Sequence, residues 1–294
     1  MKQGIPGIGG AKRPRPNVIS GSILRRRART KVICIGAMCI LLILIAVFAG
    51  KLSPHDPNQT SALLIRKPPS KEYPFGTDSF GRCVLSRVLA GAGTTIFATT
   101  VLVAVTFAIG TVLGIISGYY GGWADAVIMR VTELFLAFPQ MVVAIAVAGI
   151  LGGGLSAALI ALGVTAWTGY AKIARSHTLS VKNENYIAAA RLAGLKGWQI
   201  ILFHILPNIL FPLVTNALTQ IGTTMIGISG LSFLGLGVIP PQAEWGSMIN
   251  ESRAYIQLAP WAVLYPAAAT IVTIMLFNYL GDAVMELRKA ERRR

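Results

Sequence analysis

Apolar and charged positions fall in long blocks along this chain. Residues 32–49 form a run of 18 without a single charge. Four longer stretches also lack Asp, Glu, Lys and Arg: 88–124, 134–171, 197–243 and 254–281. An α-helix rises 1.5 Å per residue, so about 20 residues cross a hydrocarbon core. The runs therefore predict six spans: 32–49, 94–118, 134–151, 155–171, 209–236 and 261–281. The third and fourth share one stretch and are separated by the turn Gly152-Gly153-Gly154. A cleaved leader is the rival reading of the first run. That run exceeds the usual apolar length of about 7–15 residues and follows a long basic stretch, which favours a span.

Composition agrees. Apolar residues make up 54% of the 294 and charged residues 13%, with a mean hydropathy of +0.63. A soluble globule cannot hide that much apolar surface, so a soluble enzyme is excluded and membrane lipid is the expected solvent. The net charge of +16 would suggest nucleic acid in a soluble chain. Here the basic residues sit between apolar runs, which is a topology signal and not a nucleic-acid face. With both termini inside, 20 of the 27 Lys and Arg fall on the inner side. The rule predicts cytoplasmic termini and a cytoplasmic loop at 172–208.

The expected organisation is a basic cytoplasmic tail at 1–31, read as mostly disordered, and a first transmembrane helix at 32–50. An extracytoplasmic segment at 51–93, rich in proline, follows. A five-helix core occupies 94–283, and a second basic tail occupies 284–294. The scattered Cys34, Cys39, Cys83, His55, His177 and His204 predict no metal site. No phosphate loop is present, and no cluster of polar groups predicts catalysis. The spans lack ionisable groups in their inner parts, which argues against an ion-driven carrier. Gly110, Gly114 and Gly118 make a stripe for close helix approach, within this chain or between subunits. Pro139 and Pro212 can bend their helices.

The segment from Tyr186 to Asn208 reads as helix, break, helix. Ala188, Ala189, Ala190 and Ala193 favour helix, Gly194 can end it with φ > 0, and Trp198 to Leu206 resumes the period. Such a pair suits either a knob entering a partner's groove or an amphipathic hairpin on the membrane surface.

These residues resemble a known family. Ala188-Ala189-Ala190-x3-Gly194-x9-His204-Ile205-Leu206-Pro207 is similar to the coupling (EAA) loop of ABC importer permeases, with Ala188 where Glu is frequent and His204 where Ile is frequent. Gly76-Thr77-Asp78, Gly81-Arg82 and Ser86-Arg87 resemble an outer-face motif of the peptide and nickel importer permeases, with Cys83 where Asp is frequent. Leu231 to Gly237, Pro240-Pro241 with Glu244-Trp245-Gly246, and Phe277-Asn278 with Gly281-Asp282 resemble the same subfamily.

The resemblance implies an all-α type I importer permease bundle of six transmembrane helices. This chain would be one subunit of a permease heterodimer. Two ATPase subunits would bind ATP and Mg, and an extracytoplasmic solute-binding protein would deliver the solute. It implies a coupling role for Ala188, Ala189, Ala190, Gly194, Leu206 and Pro207, and an outer-segment role for Gly76, Thr77, Asp78, Gly81 and Arg82. It implies no catalysis and no cofactor in this chain, and it names no substrate-contacting residue. The solute the resemblance implies is a di- or oligopeptide, with a nickel or metal chelate as the alternative. A secondary carrier would show paired repeats with broken helices and buried charges, a scaffold or sensor would show a soluble domain, and a membrane enzyme would show clustered reactive groups. The sequence shows none of these.

Overall fold

The computed structural model describes residues 18–292, and side-chain environments from Arg25 to Glu291. Glycines 4, 7, 9 and 10 and the rest of residues 1–17 lie outside the described residues. The described chain is helical, and its one β-bridge joins Thr77 to Cys83. In chain order the helices are α1 (Val18–Val47), α2 (Ala49–Leu52), α3 (Val84–Tyr120), α4 (Gly122–Leu136), α5 (Gln140–Ile150) and α6 (Leu155–Lys182). They continue with α7 (Asn185–Leu192), α8 (Gly197–Ile200), α9 (Leu206–Phe233), α10 (Trp245–Ser252) and α11 (Trp261–Arg292). Among the described residues, five helices are long and apolar enough to cross a membrane, and the bent pair α4–α5 brings the number to six if it forms one span.

Several boundaries differ from those expected. Helix α1 begins at Val18, inside the stretch read as a disordered tail. Helix α3 begins at Val84, so residues 84–93 belong to a span helix and not to the outer segment. Helices α6 and α11 run on to Lys182 and Arg292, past the expected ends at 171 and 281. In α1, α6 and α11 the cause is the same. Freedom from charge marks the lipid-facing length, but Lys and Arg are good helix formers and carry a helix beyond it.

The expected third span, 134–151, is not one helix. It breaks at Ala137-Phe138-Pro139, and α4 and α5 meet at 85°. Pro139 has no N–H to continue α4 and disfavours helical backbone at Phe138.

The core is built on α3 and α6. A β-carbon on Gly110 would lie 2.6 Å from the Tyr170 Cβ, one on Gly114 2.7 Å from the Ala174 Cβ, and one on Gly118 2.8 Å from the Thr178 Cβ. The glycine stripe therefore seats α6 against α3 within this chain. Helix α9 packs on both and on α11, where Gly222 faces Ile274 and Asn278. Helix α1 lies at the periphery against α11 and α3, with Ile33, Ile40 and Leu41 more than half exposed, as lipid contact requires.

Candidate functional site

Helix α6 is followed almost at once by α7. Ile187 and Ala190, three residues apart, point inward and join Ile115, Ala174, Ile200, Ile205, Ile209 and Leu213 in one buried cluster. The other face carries Ala188, Ala189 and Leu192, all exposed, with Leu192 at 90%. Burial, then Glu184, push the Tyr186 phenol above its ordinary range at the start of this helix.

Helix α7 ends in a Schellman turn. Gly194 has φ +79°, its N–H donates to the Arg191 carbonyl at 3.0 Å, and the Leu195 N–H donates to the Ala190 carbonyl at 3.2 Å. No atom lies within 4 Å of the position a Gly194 side chain would take, so that face is open. Helix α8 starts at Gly197, where a β-carbon would be 3.2 Å from the Tyr119 ring. The Gln199 side-chain oxygen Oε1 accepts from the Lys196 N–H at 2.8 Å.

Residues 201–205 form a single π-turn, and α9 continues from it. The wide turn accommodates Pro207, whose ring would crowd the carbonyl four residues before it in a regular helix. Asn208 Nδ2 donates to the His204 carbonyl at 2.6 Å.

Of the residues assigned to coupling, Ala188, Ala189 and Gly194 share the exposed elbow. Ala190 is buried behind it, Leu206 is half-buried and Pro207 is exposed at the start of α9. Leu192 was missed. An exposed leucine between alanines was the available signal.

The segment before α3 is tightly folded. Gly76 and Gly81 have φ +70° and +74°. A β-carbon at Gly76 would be 2.7 Å from the Lys67 carbonyl oxygen, and one at Gly81 2.9 Å from the Ser61 carbonyl carbon. Thr77 is fully buried. Its hydroxyl accepts from the Lys67 N–H at 2.8 Å and donates to the Leu64 carbonyl. The Trp261 indole N–H donates to the Thr77 carbonyl at 2.9 Å, tying this segment to α11.

The turn presents a buried ionic cluster. Asp78 Oδ1 accepts from the Phe80 and Arg82 N–H groups at 2.8 and 3.0 Å, and Oδ2 accepts from Arg82 Nε at 2.6 Å. Arg82 also pairs with Glu251 of α10. Arg87 lies 3.6 Å from Asp78 and 3.4 Å from Glu251, and it donates to the Pro57 and Pro241 carbonyls. Two positive and two negative side chains thus compensate each other away from water. Buried Cys83 takes no part in these ion pairs. Sequence reasoning missed Glu251. Its rarity as an acid in a nearly acid-free stretch was the only hint.

Helix α10 is anchored beside this cluster. Fully buried Glu244 caps it, accepting from the Gly246 and Ser247 N–H groups at 2.9 and 2.8 Å. The Trp245 indole donates to the Val88 carbonyl at 2.9 Å.

Comparison with known proteins adds to this geometry. Residues 110–293 match the family described as "Binding-protein-dependent transport system inner membrane component". The chain is 38% identical to the dipeptide transport system permease protein DppC of Alkalihalophilus pseudofirmus, over 88% of this chain and 85% of that protein. It is 38% identical to the glutathione transport system permease protein GsiD of Pectobacterium atrosepticum, over 89% and 88%. It is also 38% identical to the probable D,D-dipeptide transport system permease protein DdpC of Escherichia coli, over 84% and 83%. A chain of the inward-facing MetNI methionine ABC transporter superposes with a TM-score of 0.56 at 20% identity, covering 71% of this chain and 96% of that one. The fold is that of a type I importer permease.

Proposed function

Because the chain belongs to the family of binding-protein-dependent transport system inner membrane components, we propose that it is one of two pore subunits of an ATP-driven importer of short peptides. The chain itself carries out no chemistry. Two partner ATPase subunits bind and hydrolyse ATP with Mg, a second permease completes the pore, and an extracytoplasmic binding protein presents the solute.

The observation that carries this reading is the α7–Gly194–α8 elbow. Its back is held by Ile187 and Ala190 in a core that reaches α3, α6 and α9. Its front offers Ala188, Ala189 and Leu192. Small residues let another surface come close, and an exposed leucine supplies an apolar anchor. An elbow rooted in three long helices passes a push on its face into the bundle as a switch between packed arrangements. The surface-hairpin alternative does not require that rooting. The names of the relatives support peptides as solute over nickel.

The test is purification of the chain from its own membranes, followed by uptake in vesicles. ATPase subunits should co-purify, and ATP inside the vesicle lumen that faces the elbow should drive uptake of a peptide. A chain that purifies without an ATPase, or uptake that persists without ATP, would overturn the reading.

A further inference from the structure

Of the five long apolar helices described, α1 is the least buried. Ala28, Cys39 and Ala46 are buried and share one side of the helix, which packs on α11 and α3. Another side carries an open groove lined by Arg26, Arg27, Thr30, Lys31, Cys34 and Ile35. Steps of four residues relate these positions, so they form two adjacent rows along the helix. The rows are sorted along the axis. Basic residues stand at one end, and Cys34 and Ile35 lie about 12 Å further on, at the helical rise. Those two fall inside the charge-free run 32–49. Met38 and Leu41, each more than half exposed, continue the same side.

The cations at this end are not equivalent. Arg25 pairs with Glu291 at 3.7 Å and Lys31 with Glu286 at 2.8 Å, both acids on α11. Arg26 and Arg27 are exposed and have no ion pair among the described residues. The Thr30 hydroxyl donates to the Arg26 carbonyl at 3.0 Å, so it has no proton left to offer. The groove therefore presents two unpaired guanidinium groups above an apolar wall. A guanidinium holds its N–H donors in a planar fork that matches phosphate oxygens. Free phosphate or a nucleic acid would meet the charge and leave Cys34, Ile35, Met38 and Leu41 uncovered. A phospholipid covers both parts. A zwitterionic one brings an ammonium of its own, which two unpaired arginines disfavour.

We propose that this groove binds one anionic phospholipid, with the phosphate on Arg26 and Arg27 and an acyl chain along Cys34, Ile35, Met38 and Leu41. Basic residues flanking a span draw anionic lipid to the membrane surface in general. Here the rows on α1 turn that attraction into a site of defined shape. The lipid supplies the counter-charge that the two glutamates of α11 leave unmet. It also covers a face of the span that the rest of the chain covers least. The site is indifferent to the solute, so it stands apart from the peptide reading.

The experiment uses the complete importer, purified in mild detergent and stripped of lipid. Cys34 is an exposed thiol in the groove, whereas Cys39 and Cys83 are buried. Its alkylation by N-ethylmaleimide, followed by mass spectrometry of the peptide that contains it, reports occupancy. Phosphatidylglycerol at about ten times its half-saturating level should slow the alkylation about tenfold, and phosphatidylcholine should slow it less than about twofold. The Arg26→Gln, Arg27→Gln double variant should need about thirtyfold more phosphatidylglycerol for the same protection. Arg29→Gln with Lys289→Gln removes the same charge outside the groove and should protect like the parent. Equal protection by the two lipids would overturn the proposal, as would protection by glycerol phosphate alone. So would a groove variant that protects like the parent, or a control variant that loses as much as the groove variant. The comparison of lipids on the parental importer stands even if the groove variant fails to assemble.

Discussion

Arg175 of α6 grips Asp125 of α4 through two parallel hydrogen bonds, Nε to Oδ1 at 2.6 Å and a terminal nitrogen to Oδ2 at 2.7 Å. Ser117 of α3 also donates to Asp125, so three helices meet at one carboxylate. The pair is partly exposed, at 33% and 23%, so solvent screens it. A double-mutant cycle with Arg175→Gln and Asp125→Asn should give a coupling energy of about 0.5–1 kcal/mol in detergent unfolding. Arg175→Lys should recover only part of it, because an ammonium lacks the planar fork. A coupling energy of zero would show that the three helices are held by packing alone.

The glycine stripe predicts a larger loss. A Gly114→Leu side chain would drive into the Ala171 carbonyl and the Ala174 methyl group of α6. Neither neighbour can rotate away, since one is backbone and the other is the root of its side chain. The variant should fail to fold or lose several kcal/mol, seen as aggregation or a large fall in melting temperature. Gly149→Ala, where no atom lies within 4 Å of the new carbon, is the control. Equal stability of the two variants would disprove the tight α3–α6 contact.

Gly194 separates strain from contact. Its φ of +79° penalises a β-branched residue by about 1 kcal/mol or more. Within this chain the new side chain meets nothing. Gly194→Val should therefore insert normally yet lose uptake, with its ATPases released or hydrolysing without transport. Gly194→Asn, which tolerates positive φ, should keep more activity. Parental uptake by the valine variant with ATPases bound would remove the elbow from the coupling path.

The outer cluster makes the opposite prediction about location. Arg87 is 1% exposed and Glu251 11%. Glu251→Gln strips Arg82 and Arg87 of a shared counter-charge and should cost about 3–5 kcal/mol, as breaking a buried pair does. Asp78→Ala with Arg82→Ala removes one charge of each sign, so it should destabilise less while still impairing uptake with the ATPases attached. Thermal unfolding ranks the variants, and a less stable double variant would show that charge balance is not what the cluster supplies.

Topology can be checked directly. A reporter fused after Arg294 should be active only in the cytoplasm, and one inserted near Pro68 only outside. Activity of both on one side would contradict an even number of crossings.

The elbow was legible in the sequence because its determinants are local. Small residues, then Gly194, then a renewed period specify helix, turn and helix within a dozen positions. The outer turn was legible for the same reason, since Asp78 and Arg82 are four residues apart. Glu251 is 169 positions from Arg82, and no periodicity announces a pairing at that distance. The broken third span was hidden differently. Its apolar composition continues across Phe138, so charge and hydropathy register no interruption, and only Pro139 marked the possibility of a bend. The glycine stripe showed that something approaches α3 but could not name α6, because any small-faced helix satisfies the same pattern.

The π-turn at 201–205 makes the chain from Gly197 to Phe233 one unbroken shaft, about 55 Å long at the helical rise. Its lower end emerges from the elbow. Near its upper end, Ser229 lies so close to Gly246 of α10 that a β-carbon there would be 2.5 Å from the Ser229 Cα, and α10 carries Glu251. A shaft of this kind can serve as a crank, carrying torque from its elbow end to its α10 end. The widened turn and Pro212 within α9 interrupt its regular hydrogen bonding and are its compliant joints. Stiffening or loosening either would change how fully motion passes between the two ends without altering a contact at either.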